Sequence, residues 1–371
     1  MKKKIFPLIL LIFVLNLFSF QESFYLSVKN VEVPLRVYKN KNFVDNLSIE
    51  DFRVYEEGKE QKIESLYLIK KNEIVNVYGN TDFMPQLNRN YYLLFQIIDY
   101  NPKIKDVFEY MIKDVLLLGD TVTIQTPMKS YYIGSDVFIE KEKEVIVEEI
   151  AKTIRKDTNL GSSNYRNLIK ELKSIIRALS GSNTMSGMEM NTESDSFGVE
   201  FLLQRYKHTL QKLEELRLVD QETFLRFAAN VKGKRGRRRV IYFYQREYKP
   251  EIPTRVLNHM VSNYQDKPNV LGDIQELFNF YNRGHKFDVD MLKKAFADSS
   301  IQFNFIFMNN PLENTSGINM KEQSEDYFSD MKQLAHSTSG FMNSSQNPVF
   351  GFKQIIEESE VYYLLYYTPL E

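Results

Sequence analysis

Five short apolar runs recur between residues 91 and 367, and they constrain the fold more than any other feature of the sequence. Each is dominated by Ile, Val, Leu, Phe and Tyr, which is typical of strands covered on both faces. The runs span residues 91–98, 121–126, 239–245, 301–308 and 361–367. Segments that fit helices separate them, at residues 102–117, 140–156, 164–179, 198–230, 288–298, 323–337 and 350–358. This alternation predicts an α/β domain with a mostly parallel sheet.

Composition excludes several classes of site and partner. The chain has 371 residues, 43% hydrophobic and 26% charged, and its 27 Phe and 23 Tyr require a core to bury them. The formal net charge of −1 gives no reason to expect binding to nucleic acid or to a membrane surface. The absence of cysteine excludes disulfides, thiolate metal ligands, a cysteine nucleophile and lipid attachment through an N-terminal cysteine.

The N-terminal stretch MKKKIFPLILLIFVLNLFSFQES has the layout of a secretory signal. Three lysines precede an uncharged run from Ile5 to Phe20, and polar residues follow. We therefore predict a signal peptide at residues 1–21 and an extracytoplasmic protein, either periplasmic or secreted. The alternative is an uncleaved signal that serves as a single N-terminal membrane anchor. No second apolar run of about 20 residues occurs, so we expect the rest of the chain to be soluble.

Residues 24–72 predict a small all-β module. Its first half alternates apolar and polar residues up to Val37, and an Asn/Lys turn follows near residues 39–42. Its second half predicts a capped turn at residues 48–52, a strand at 52–56, a hairpin turn at EEGKE and a strand at 62–70.

A polar linker with Gly79, Asn80 and Pro85 follows this module. We place the α/β domain after it, at residues 88–371. Within that domain the stretch SGSNTMSGMEMNTESDS is rich in Ser, Gly and Asn and poor in bulky residues. It predicts a flexible loop at about residues 180–197.

Two further stretches carry a family resemblance. The first, at residues 33–69, matches the run G-x-x-V-x-x-L-x-x-x-D-F-x-V-Y-E-D-G-x-x-Q through Val44, Leu47, Asp51, Phe52, Val54, Tyr55, Glu56, Gly58 and Gln61. The second, QLAHSTSGFMNSSQNPVFGFKQIIEESEVYYLLYYTP, is similar to an LA-x-x-T-G-G helix end followed by a YYLLGYYP-type closing strand. On these residues the chain resembles the bacterial VWFA-related proteins, in which a small β module precedes a von Willebrand factor type A domain. The resemblance covers about residues 30–371.

The resemblance implies a doubly wound, mostly parallel sheet that binds ligands at the carboxyl ends of its strands. In the family this edge holds a divalent ion through an Asp-x-Ser-x-Ser loop, a later threonine and a second aspartate, and a partner's carboxylate takes the open position. Asp99 matches the first aspartate. Asn101 and Lys103 stand at the two serine positions, and Gln245 stands at the second aspartate, so this metal-ion-dependent adhesion site is degenerate. The residues that could replace the threonine are Thr192, Ser194 and Ser196.

Three interpretations of Asp99 remain open. In the first, which the sequence favours, Asp99 and Asn101 cap the following helix, with Pro102 in its first turn. In the second, Asp99 binds Mg²⁺ with unusual ligands, against which the ammonium group of Lys103 would compete. In the third, Asp99 pairs with Lys103 and leaves a polar surface for a partner. We expect no cofactor, and Mg²⁺ at Asp99 is the alternative.

The run KGKRGRRR, residues 232–239, holds six basic residues in eight. They are Lys232, Lys234, Arg235, Arg237, Arg238 and Arg239. We interpret the run as a solvated loop that leads into a strand. The alternative is a binding site for an anionic polysaccharide or for lipid headgroups.

No pattern in the sequence supports catalysis. It has no Gly-x-Ser-x-Gly elbow, no phosphate-binding glycine loop and no histidine spacing typical of zinc sites. We therefore expect a non-enzymatic protein-binding, scaffold or adhesion-type module that uses the edge around Asp99, Asn101, Lys103 and Gln245 without a metal ion. The partner is expected to be a protein. An envelope hydrolase is the alternative enzyme, and it would need a Ser/His/Asp set or paired carboxylates in one cleft.

Overall fold

The computed structural model describes residues 31–40, 42–81, 84–181, 192–217, 220–281, 287–312 and 315–369. The predicted signal segment lies outside these ranges, and so do residues 182–191 of the predicted loop. Within them, no helix is both long and apolar enough to cross a membrane. The protein is mixed α/β, with a six-stranded, mostly parallel sheet and several small antiparallel sheets.

Contacts between residues divide the chain into two units. The first comprises residues 1–68, 74–83 and 363–371, and the second comprises residues 69–73 and 84–362. The first unit is built on a four-stranded sheet whose members are β1 (Val31–Leu35), β6 (Ile63–Lys70), β7 (Glu73–Gly79) and β16 (Val361–Tyr367). Their order across the sheet is β1-β16-β6-β7.

Two small hairpins accompany this sheet. They pair β2 (Tyr38–Lys39) with β3 (Asn42–Phe43) and β4 (Val54–Glu56) with β5 (Lys59–Gln61). Before β4, the predicted capped turn is confirmed: Asp51 Oδ2 accepts a hydrogen bond of 2.8 Å from the backbone N of Ser48. The predicted hairpin turn at EEGKE is confirmed as well, with positive φ angles at Glu57 and Gly58.

The strand predicted at residues 361–367 forms, but its predicted place in the parallel sheet is wrong. β16 pairs antiparallel with β1, so that Val31 lies opposite Tyr367. The reason is that an apolar run shows only that a strand is buried, and β16 is buried in this sheet as well.

β7 was not predicted from the sequence. A two-residue turn at Lys71 and Asn72, both with positive φ, joins β6 to β7. Most of β7 is exposed, including Val75 and Val77, so its residues resemble a polar linker in the sequence.

The second unit is built on the six-stranded sheet. Its strands are β8 (Arg89–Gln96), β9 (Thr121–Gln125), β10 (Ser130–Ile133), β11 (Arg237–Gln245), β13 (Ile301–Met308) and β15 (Met342–Ser345). Their order is β10-β9-β8-β11-β13-β15. All neighbours are parallel except β10, which runs antiparallel to β9. Two short strands, β12 (Tyr248–Glu251) and β14 (Asn319–Glu322), form a separate antiparallel pair.

The described helices of this unit are α1 (Lys103–Tyr110), α2 (Val137–Glu140), α3 (Lys143–Gly161), α4 (Ser163–Gly181), α5 (Thr192–Arg217), α6 (Gln221–Val231), α7 (Thr254–Asn263), α8 (Pro268–Tyr281), α9 (Val289–Asp298), α10 (Glu325–Ser337) and α11 (Pro348–Ser359). A π-helical turn at Met111–Val115 continues α1.

Two predictions about the helices are wrong. The single helix predicted at 198–230 is two helices, because Asp220 caps the N-terminus of α6 by accepting a hydrogen bond from the backbone N of Glu222. The predicted loop at 180–197 is too long at both ends: α4 continues to Gly181 and α5 begins at Thr192. In addition, α7 and α8 were not predicted.

Helices cover both faces of the six-stranded sheet. Successive residues of β8 alternate between two cores, with Leu93 in one and Leu94 in the other. The core that contains Leu93 packs against α1, α3 and α11, and the core that contains Leu94 packs against α6, α9 and α10. A third core holds α4, α5, α7 and α8 together.

A buried ion pair fixes the amino end of the central strand. Asp120 precedes β9 and is 1% exposed. Its carboxylate accepts hydrogen bonds from the backbone N of Arg89 at 2.9 Å, from the Arg89 guanidinium, and from the backbone N of Leu117 at 2.9 Å. Arg89 Nη2 also donates to the carbonyl of Val115 at 2.7 Å. Each charge therefore compensates the burial of the other.

We expect Asp120→Asn to lower the free energy of unfolding by about 3–5 kcal/mol, because the Arg89 cation would stay buried without its counter-ion. Urea unfolding measures the change. The matched control is Asp106→Asn, which breaks the exposed pair with Lys103 and should cost less than about 1 kcal/mol. Equal effects of the two substitutions would contradict the assignment.

Candidate functional site

The candidate site is the carboxyl edge of the six-stranded sheet, between β8 and β11. The chain order reverses there, because β9 lies on one side of β8 and β11 lies on the other. In open α/β sheets the crevice outside the carboxyl ends at such a reversal is the usual place for a ligand. Residues 97–102 follow β8 and residues 246–247 follow β11, so these segments line the crevice.

Gln245, the last residue of β11, links the carboxyl ends of β11 and β8 at the base of the crevice. Its side chain is buried, and Oε1 accepts hydrogen bonds from the backbone N of Ile98 at 2.8 Å and of Asp99 at 2.9 Å. A neutral amide oxygen satisfies both N–H groups without placing a charge in the interior. The structure thus brings Gln245 and Asp99 together, and the contact runs through the backbone N of Asp99.

Arg166 of α4 supplies a cation beside the Asp99 carboxylate. Its Nη1 lies 3.6 Å from Asp99 Oδ1, and it donates to the Ile98 carbonyl at 3.3 Å and to Ser162 Oγ at 2.6 Å. Its Nη2 donates to the Asn159 carbonyl at 2.7 Å. Four contacts therefore hold the guanidinium over the end of β8. Arg166 was not predicted from the sequence, because nothing in the pattern of a predicted helix shows that its side chain reaches this edge.

The geometry decides two of the three interpretations of Asp99. Asn101 makes the expected capping contact, since its Oδ1 accepts from the backbone N of Lys103 at 2.9 Å. The prediction that Asp99 caps the same helix is wrong: its carboxylate pairs with Arg166. The prediction of a pair between Asp99 and Lys103 is wrong too, because Lys103 Nζ lies 3.1 Å from Asp106 Oδ2, one helical turn further on.

Among the described residues at this edge, Asp99 and Gln245 do not supply the ligand set that a divalent ion needs. Hard cations need about six oxygen ligands, including carboxylates that offset their charge. Asp99 faces a guanidinium, and the amide oxygen of Gln245 already accepts two backbone N–H groups. The side chains of Thr192, Ser194 and Ser196 lie outside the described part of the structure. In the part that is described, no group of three or more His, Asp or Glu side chains could hold a metal ion.

Two cavities open on either side of Asp99. The first, which we name the α4 cavity, has a volume of about 290 Å³ and is lined by Asp99, Arg166 and Tyr248 among others. The second, the α3 cavity, has a volume of about 600 Å³ and is lined by Asp99, Tyr100 and residues of α3. Asp99 is the lining residue that the two cavities share.

Basic side chains outnumber carboxylates in both cavities. The α4 cavity is lined by four basic residues, Arg166, Lys170, Lys173 and Arg246, and by the carboxylates of Asp99 and Glu247. The α3 cavity is lined by Lys105, Lys152 and Arg155 and by the carboxylates of Asp99 and Glu148.

Some of this charge is neutralised within the chain. Lys105 pairs with Glu148, and Arg246 lies 3.0 Å from Glu322. Three other cations are not neutralised in this way. Lys152, Arg155 and Lys170 are exposed and form no ion pair with another described residue. They leave positive charge on both sides of Asp99.

The surroundings of Tyr100 in the α3 cavity shift the pKa of its phenol. Burial raises the pKa of its phenol above the ordinary value, and the nearby Arg155 guanidinium opposes that rise. The phenol is therefore neutral at physiological pH and can act as a hydrogen-bond donor.

The basic run at residues 232–239 differs from the solvated loop that was predicted. Arg237–Arg239 are the first residues of β11, and Arg239 is buried. Arg239 Nη2 donates to the carbonyl of Ser359 at the end of α11 at 3.0 Å. The guanidinium of Arg237 lies 3.7 Å from the ring centre of Tyr362. Arg239 therefore caps the C-terminus of α11, and Arg237 stacks on an aromatic ring, so both side chains contribute to packing.

The exposed part of the run is Lys232, Lys234 and Arg235. Gly236 has a φ of +83°, and a Cβ there would lie 2.4 Å from the Asn88 carbonyl, so only glycine fits. The loop precedes β11, and it therefore lies at the amino edge of the sheet, opposite the candidate site.

Comparison of the chain with protein families, with curated proteins and with solved structures found no match.

We expect Gln245→Leu to destabilise the protein by about 2–4 kcal/mol, because the backbone N–H groups of Ile98 and Asp99 would lose their acceptor. Thermal and urea unfolding measure the loss. Gln245→Glu is the matched control: it keeps an acceptor of the same length and should restore part of the stability at low pH, where the carboxyl is protonated. A Leu variant as stable as the parent protein would contradict the role given to Gln245.

Proposed function

We propose that the protein is an exported, non-enzymatic protein-binding module with a von Willebrand type A-like, doubly wound domain. The sheet order supports this fold, because numbering the six strands along the chain gives the order 3-2-1-4-5-6 with the third strand antiparallel. Export rests on the signal-like residues 1–21. The partner binds at the carboxyl edge around Asp99, Asn101, Lys103 and Gln245, without a metal ion.

The observation that carries the proposal is the contact between Arg166 and Asp99. A metal-dependent edge needs a carboxylate that is available to the ion, and in this chain a guanidinium lies in front of the carboxylate. The same guanidinium holds the end of β8 through the Ile98 carbonyl. These contacts order the edge before a partner binds, which lowers the conformational entropy that the edge itself loses on binding.

The chemistry of the two cavities indicates the kind of partner. Lys152, Arg155 and Lys170 are exposed cations on both sides of Asp99, in a chain whose overall net charge is −1. This local positive charge complements an acidic segment of a partner protein and increases its rate of association. Tyr100 and Tyr248 add aromatic surface of the kind that protein interfaces favour.

We expect a fluorescent peptide of about 15 residues, rich in Asp and Glu, to bind the purified protein and to be released as salt rises from about 50 to 300 mM. The double variant Arg155→Glu, Lys170→Glu should weaken binding at least about tenfold, because it reverses the charge of both cavities. Fluorescence anisotropy measures both effects.

The matched control is Lys156→Glu, Lys294→Glu. These lysines are exposed, lie on α3 and α9, and line neither cavity, yet the double substitution changes the net charge by the same amount. It should bind as the parent protein does. A parent protein that does not bind the peptide, or two variants that weaken binding equally, would contradict an acidic partner at this edge.

A further inference from the structure

β7 is the outer strand of the four-stranded sheet, and its single charged residue, Glu73, stands at its first position. β6 lies on one side of β7, and among the described residues no strand lies on the other. The strand is seven residues long, Glu73–Gly79, without proline. Val75 and Val77 are 49% and 42% exposed. A long exposed edge with apolar side chains is a template for pairing with another strand.

The opposite edge of the same sheet is different. β1 contains Pro34, which cannot donate a backbone hydrogen bond, and Glu32, whose carboxylate accepts a hydrogen bond of 2.7 Å from Tyr366. Proline and charge on an edge strand are devices that prevent pairing. The sheet is therefore protected at β1 and open at β7.

The sequence of β7, EIVNVYG, is complementary to itself in an antiparallel arrangement. If a two-fold axis passes at Asn76, Val75 lies opposite Val77 of the second copy, and Ile74 lies opposite Tyr78. Glu73 then lies opposite Gly79, so no carboxylate faces another. Pairs of β-branched and aromatic residues at directly opposite positions stabilise antiparallel strands.

Neighbouring registers are less favourable. A shift that places Val75 opposite itself brings Glu73 against Val77, and a shift in the other direction places Val75 opposite Gly79. The arrangement centred on Asn76 is the one in which both valines meet apolar partners. Self-complementarity of this kind is what a two-fold symmetric interface requires.

We propose that β7 is a dimerisation edge, at which a second copy of this chain extends the four-stranded sheet into a continuous eight-stranded one. The interface is independent of the carboxyl edge of the parallel sheet and of its partner. A pair of seven-residue strands buries less surface than a standard interface of about 800 Å² per partner, so the dimer is expected to dissociate on dilution.

The test introduces charged residues of opposite sign at the two exposed valines in two separate variants. One variant carries Val75→Lys and Val77→Lys, and the other carries Val75→Glu and Val77→Glu. In the proposed register each variant places like charges opposite each other in its own dimer, and a mixture of the two places Lys opposite Glu. Analytical ultracentrifugation of the full chain between about 1 and 200 µM gives the oligomeric state.

We expect a concentration-dependent dimer for the parent protein, monomers for each variant alone, and a restored dimer in the equimolar mixture. A monomeric parent protein throughout this range, variants that still dimerise, or a mixture that stays monomeric would each overturn the proposal. Should a variant fail to fold, hydrogen exchange of the parent protein decides: protection of residues 73–79 must rise with concentration, and an unchanged rate would overturn the dimer.

Discussion

The parallel pairing of β8 with β11, closed at its carboxyl end by Gln245, is the interaction on which the candidate site depends. Eight residues of each strand lie in register, from Arg237 opposite Arg89 to Tyr244 opposite Gln96. Beyond this ladder the backbone N–H groups of Ile98 and Asp99 have no strand to pair with, and the Gln245 amide accepts both. The position of the Asp99 carboxylate follows from this closure. Arg166 Nη1 then pairs with that carboxylate at 3.6 Å.

Much of the second unit could be predicted from the sequence. The apolar runs at 91–98, 121–126, 239–245 and 301–308 are strands of the six-stranded sheet, because strands covered on both faces leave an unmistakable pattern. β10 and β15 were missed. They lie at the two edges of the sheet and have only four residues each, so their composition carries little signal. The periodicity of residues 361–367 predicts a strand, but it does not show which of the two sheets that strand joins.

The candidate site could be predicted only in part. Asp99, Asn101 and Gln245 were found because the family resemblance places them at ligand positions of a metal site that follows predicted strands. Arg166 was not, because its position depends on the packing of α4 in the third core, with α5, α7 and α8, which no local pattern describes. Likewise, the sequence shows six basic residues at 232–239, but it does not show that strand β11 begins within the run. Arg239 is buried because it belongs to that strand.

We propose that the carboxyl edge binds its partner without a metal ion, and isothermal titration calorimetry tests this proposal. Mg²⁺ and Mn²⁺ would be titrated to about 10 mM, above the weakest range of protein sites for hard cations, into the parent protein and into Asp99→Ala. We expect no heat of binding in either protein. Heat of binding in the parent protein that disappears in Asp99→Ala would show that Asp99 holds an ion, and it would contradict the role assigned to Arg166.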